Sequence, residues 1–61
     1  MTSKEIIKMI VKNGWGMVRQ KGSHIHFKHT SSKNLVTIPH PVIDIPIGTM
    51  NSILRKAGIR T

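Results

Sequence analysis

WGMVRQKGSHIHFKH, residues 15–29, decides the fold, because apolar and polar residues alternate on both sides of a glycine. Alternation of period two about such a residue reads as a β-hairpin. With Gly22 in the left-handed position that closes a three-residue loop, Gln20-Lys21-Gly22, Arg19 pairs with Ser23 and Val18 lies beside His24. Trp15, Met17, Ile25 and Phe27 then share one face of a sheet, and Gly16, Val18, His24, His26 and Lys28 share the other. A two-residue Lys21-Gly22 turn would instead set Arg19 opposite His24 and carry Trp15 to the histidine face. The first register is preferred because it buries Trp15 with Phe27.

Upstream of the hairpin, Thr2 and Glu5 have the spacing of a capping box, in which each side chain satisfies the other's backbone N–H. Ile6, Ile7, Ile10 and Val11 follow at three- and four-residue spacing, with Lys4, Lys8 and Lys12 mostly outside that stripe, and Gly14 is a natural stop. This predicts a helix over about residues 3 to 13. Downstream, TSSKN (30–34) reads as a polar turn and LVTIP (35–39) as a third strand with Val36 and Ile38 inward, ended by Pro39. PHPVIDIPIG (39–48) holds all three prolines and reads as an ordered, irregular connection. A last helix is expected to start near Gly48-Thr49. Its buried stripe is Met50, Ile53, Leu54 and Ala57, Arg55 and Lys56 suit its C-terminal dipole, and Gly58 can cap it. The expected architecture is a single α+β domain, α-β-β-β-α, whose three-stranded antiparallel sheet carries both helices on its apolar face and leaves the His24 face open.

A chain of 61 residues has room for one core, and without cysteine that core is not supplemented by disulfides or a thiolate zinc site. The reading is a cytoplasmic, soluble domain, since no apolar run is long enough to span a bilayer and MTSKEIIKMI (1–10) carries charges through its apolar stretch. Ten Lys or Arg against Glu5 and Asp44 give a net charge of +8, which favours a polyanionic partner. Lys4, Lys8, Lys12, Arg19, Lys21, Lys28, Lys33, Arg55, Lys56 and Arg60 are spread through patterned segments, which suggests a folded basic surface in place of a disordered arm.

The combination G-W at 14 and 15, V-R-Q-K-G-S-H at 18 to 24, F-K-H at 27 to 29, T-I-P-H-P at 37 to 41, P-I-G-T at 46 to 49 and I-L-R-K-A-G at 53 to 58 resembles the HicA family of bacterial toxins. The likeness spans nearly the whole chain. It implies a fold like a double-stranded-RNA-binding domain, an endoribonuclease activity against messenger RNA, and neutralisation by a HicB-type antitoxin that covers the His24 face. The family's catalytic histidine, which follows Gly-Ser at the start of the second strand, falls on His24, and its glycine on Gly22.

The chemistry of the residues is compatible with that implication. Cutting RNA without a metal requires a group that takes the proton of the ribose 2′-OH or gives one to the leaving oxygen, and histidine titrates near neutral pH. Charge developing on the phosphate needs cationic donors, and Arg19, Lys21 and Lys28 lie in the same hairpin. Ser23 can contact phosphate or act only as a turn residue, and His26 can orient substrate or stand exposed. His29 and His40 read as structural or solvated, Trp15 and Phe27 as core. No small-molecule cofactor and no metal is expected.

Two other readings compete. A non-catalytic RNA-binding module fits the element order and the charge, but the start of the last helix, IPIGTMNS (45–52), lacks the cation cluster that holds phosphates there in good binders of duplex RNA. A metal site built from His24, His26, His29 and His40 meets the objection that alternation sends His29 to the face opposite His24, with no cysteine or nearby carboxylate to complete a ligand set.

Overall fold

The computed structural model describes residues 1–59. Arg60, counted above among the cations, lies outside them. The elements run α1 (Ser3–Lys12), β1 (Gly16–Lys21), β2 (His24–Lys28), β3 (Val36–Pro39) and α2 (Ile47–Lys56). The strands form one antiparallel sheet in the order β1-β2-β3, as the sequence reading expects.

Both helices begin and end for local reasons. At the start of α1 the capping box is complete: the Glu5 N–H donates to Thr2 Oγ1 at 3.1 Å, and the Thr2 N–H donates to Glu5 Oε1 at 2.8 Å. The Thr2 N–H, and then its hydroxyl, hold the Glu5 carboxyl below its ordinary pKa. At the end of α1, Gly14 has φ +95°, its N–H reaches Val11 O and the Trp15 N–H reaches Ile10 O. Those two bonds define a Schellman motif. The end of α2 repeats it, with Gly58 N–H on Arg55 O and Ile59 N–H on Leu54 O. The sequence placed the start of α2 near Gly48-Thr49; the helix begins at Ile47, capped by Pro46, because proline's fixed φ suits a position where no N–H is required.

The core is Ile6, Ile10, Trp15, Ile25, Phe27, Val36, Ile38, Ile45, Ile53, Leu54 and Ala57. Within the helical stripes Ile7 and Met50 are only half buried and Val11 is exposed, since the sheet is narrower than the stripe. Trp15 closes the far end of the core. Its indole N–H donates to the carbonyl of Ala57 at 3.1 Å, so the ends of the two helices are tied through one buried side chain. Residues 40–46 are ordered against α1: the Ser3 N–H donates to Val42 O at 2.9 Å and the Ile45 N–H to Met1 O at 3.0 Å. The His40–Pro41 bond is cis.

The hairpin corrects the expected register. Lys21 pairs with His24, Gln20 with Ile25, Arg19 with His26, Met17 with Phe27 and Gly16 with Lys28, and the register shifts between Met17 and Arg19. The loop is therefore Gly22-Ser23, two residues and not three, and Arg19 faces His26 and not Ser23. Gly22 does take a positive φ, +58°, while Ser23 does not. Positive φ at the first loop position alone is the pattern of a tight hairpin turn whose twist matches that of the strands. Val18 is the extra residue of a β-bulge, and this one insertion reconciles the short loop with Met17 sharing the face of Phe27. Before the bulge, the facing of Met17 and Gly16 agrees with the sequence reading. After it the parity is reversed, so Arg19 joins Lys21 on the face that bears His24 and His26. Met17 shares the core-side face with Phe27 but is 62% exposed, because β1 is an edge strand beyond the cover of the helices.

Candidate functional site

The sheet face turned away from the helices brings together the residues singled out in the sequence. Along β2 it presents His24, His26 and Lys28; from β1 come Lys21 opposite His24 and Arg19 opposite His26; from β3 come Pro39 beside His24 and Thr37 beside His26. Three cations and two imidazoles thus share one surface. Neither acid of the chain is among them: Glu5 is committed to its cap, and Asp44 lies 3.5 Å from the N-terminal amino group. Cations on a face without Asp or Glu side chains create an attractive potential for polyanions.

The position of His24 is set by the turn. The His40 N–H donates to the Ser23 carbonyl at 2.7 Å, which locks the loop onto the end of β3, and Gly22 turns the chain back so that His24 starts β2 exposed to solvent. His26 is held differently. Its Nδ1 lies 2.9 Å from Thr37 Oγ1, a cross-strand hydrogen bond that restrains the ring. Thr37 escaped the sequence reading as a site residue. The signal was its place between Val36 and Ile38, which alternation sends to the open face.

The two remaining histidines serve the scaffold. Nδ1 of His29 accepts from the Ser31 N–H at 2.9 Å, so its Nε2 carries the proton and donates to Asn13 O at 3.1 Å. The ring also rests against Trp15, centroids 5.4 Å apart. Ser3 Oγ accepts from the Val42 N–H at 2.9 Å and also hydrogen-bonds His40 Nδ1 at 2.7 Å. His29 and His40 thus fasten strand ends to α1. Among the described residues no three of His, Asp or Glu converge as a metal-ligand set, and none of the helices is long and apolar enough to cross a membrane.

The α-β-β-β-α fold, a three-stranded sheet backed by two helices, is shared with chains of solved toxin–antitoxin complexes. Over 97% of this chain and 98% of the other, it superposes on a chain of a toxin–antitoxin complex from Streptococcus pneumoniae with a TM-score of 0.83 and 33% identity. A chain of the HicA3 and HicB3 toxin–antitoxin complex matches over 100% of this chain and 98% of its own length, with a TM-score of 0.87 and 29% identity. No curated protein sequence matches it. The model of the family described as HicA toxin of bacterial toxin–antitoxin matches residues 3–59, and the chain belongs to that family.

Proposed function

We propose that this toxin is a metal-independent endoribonuclease that cleaves messenger RNA in the cytoplasm, with His24 as the group that moves the proton, and that a HicB-type antitoxin silences it by covering the same face. The observation that carries the reading is the gathering of His24, His26, Arg19, Lys21 and Lys28 on one open, acid-free surface.

In the reaction, the ribose 2′-oxygen attacks the adjacent phosphorus as its proton leaves to a base. The bond to the 5′-oxygen breaks as that oxygen gains a proton. The products are a 2′,3′-cyclic phosphate and a 5′-OH, so atoms balance without water or a metal. His24 is exposed and can take the first proton or give the second. Lys21, directly across the pair from it, stabilises the charge that grows on the non-bridging oxygens, and Arg19 and Lys28 hold neighbouring phosphates. The Gly22 and Ser23 backbone sets the height of His24 above the sheet. Membership of the family and likeness to chains from two toxin–antitoxin complexes support the antitoxin as partner.

Incubation of the purified chain with single-stranded RNA in EDTA, without ATP, tests the proposal. Cutting with cyclic-phosphate ends is expected, reduced by added salt and by 2′-O-methyl groups at the cut position. A stable shifted complex without cutting would favour the non-catalytic RNA-binding module. Activity lost in EDTA and regained with zinc or magnesium would overturn the metal-free chemistry.

A further inference from the structure

Beside His26 the open face is not flat. Val18, Arg19, His26, Lys28 and Leu35 line a groove of about 360 Å³ that crosses the sheet at the end remote from the Gly22 turn. Two of its walls are apolar and solvent-facing: Val18 is 55% and Leu35 43% exposed. Val18 is there because it is the bulge residue. An insertion in β1 aims its side chain at the groove, and bulges are enriched where a strand must re-aim a side chain beside a functional site. His26, with its ring restrained by Thr37, lies between the walls, and Arg19 and Lys28 supply the positive charge.

We propose that this groove is the binding site for an RNA base adjoining the scissile phosphate, with the faces of the base against Val18 and Leu35 and its flanking phosphates on Arg19 and Lys28. The proposal rests on the ribonuclease reading and adds to it a site for the nucleotide next to the one that reacts. Charge complementarity selects the occupant. Apolar walls alone suit any hydrophobic group, but apolar walls between two cations, on a face without Asp or Glu side chains, suit a flat ring that stacks through its π faces and is carried on an anionic backbone, which is a nucleotide. His24 and His26, two residues apart on one strand, are separated by about 7 Å. One extended RNA strand can therefore place its reacting phosphate at His24 and the next base in the groove.

The experiment uses the paired substitutions Val18→Thr and Leu35→Asn, which keep side-chain size on exposed positions while making both walls polar. Fluorescence anisotropy with a short labelled single-stranded RNA blocked by a 2′-O-methyl group at the cut position, run beside the same blocked RNA carrying an abasic nucleotide on either side of the cut, reads the groove without reference to catalysis. Wild-type protein should bind the intact RNA about tenfold more tightly than one of the abasic forms. The double variant should lose about the same factor for intact RNA and show no further loss with the abasic form. Unchanged RNA affinity in the double variant overturns the proposal, and unchanged RNA affinity with weakened antitoxin binding assigns the groove to the protein partner instead. Failure of the wild-type chain to cut RNA sinks the ribonuclease reading separately, since the anisotropy comparison does not depend on cleavage.

Discussion

Replacing Gly14 by alanine tests how α1 is joined to the sheet. Gly14 has φ +95°, and a β-carbon there would lie 2.7 Å from Nε2 of His29, inside any tolerable contact. The ring cannot simply swing away, because Ser31 and Asn13 hold its two nitrogens and Trp15 lies against it. Two costs therefore add. A non-glycine residue at left-handed φ costs about 1 to 2 kcal/mol, and displacing His29 sacrifices a hydrogen bond of about 1 kcal/mol. The sum, about 2 to 3 kcal/mol, is a large share of the roughly 3 to 9 kcal/mol expected for a domain of this size. It should lower the melting temperature by roughly 10 to 20 °C. Gly58→Ala is the matched control, since Gly58 fills the same place in the same helix-ending motif at φ +73° but faces open space. It should cost only the strain of about 1 to 2 kcal/mol, roughly 5 to 13 °C. Thermal melts by circular dichroism, with Gly14→Ala repeated in a His29→Ala background, separate the two contributions. Equal losses at Gly14 and Gly58, or a Gly14→Ala penalty undiminished by removal of His29, would refute the clamp.

Further outcomes follow from individual bonds. Because the folded state lowers the Glu5 pKa, the capping box stabilises the fold above the ordinary glutamate range and loses that contribution as pH falls through the lowered value; melts across acidic pH should show this slope, and Glu5→Gln should flatten it. Gly22→Val forces a branched side chain onto φ +58°, so strain of about 1 to 3 kcal/mol should lower the melting temperature and misplace His24; unchanged stability and cleavage would rule out a required glycine at the turn. Thr37→Val keeps the shape of the strand but removes the bond to His26, and kcat/KM for RNA should fall about three- to tenfold with the fold intact; an unaltered rate would show that orienting His26 is irrelevant to cleavage.

What the chain declares locally was legible before any coordinates. Thr2 and Glu5 lie within one turn of each other, Gly14 and Gly58 follow apolar stripes, and Val36 and Ile38 alternate with polar neighbours, so both helices and β3 emerge from short-range rules. The face bearing His24, His26 and Lys28 was also readable, because alternation along β2 is independent of its partner. The register of β1 was not. The positions of Arg19 and Lys21 depend on where one residue, Val18, is left unpaired, and a bulge leaves no mark in composition or periodicity. The preference for burying Trp15 beside Phe27 found the right destination for both residues by the wrong loop, since Trp15 reaches the core through the end of α1 and not as a strand residue. The roles of His29 and His40 depend on partners 16 and 37 residues away, a separation that local pattern does not encode.

If His24 moves the proton in RNA cleavage, the rate of cutting by His24→Ala reports it. His24 is exposed at the start of β2, so its truncation opens no core cavity and the melting temperature should match that of the wild type. Cleavage of single-stranded RNA in EDTA should fall by about a hundredfold or more, the scale of a lost general acid or base. A folded His24→Ala protein that cuts RNA at the wild-type rate would contradict it.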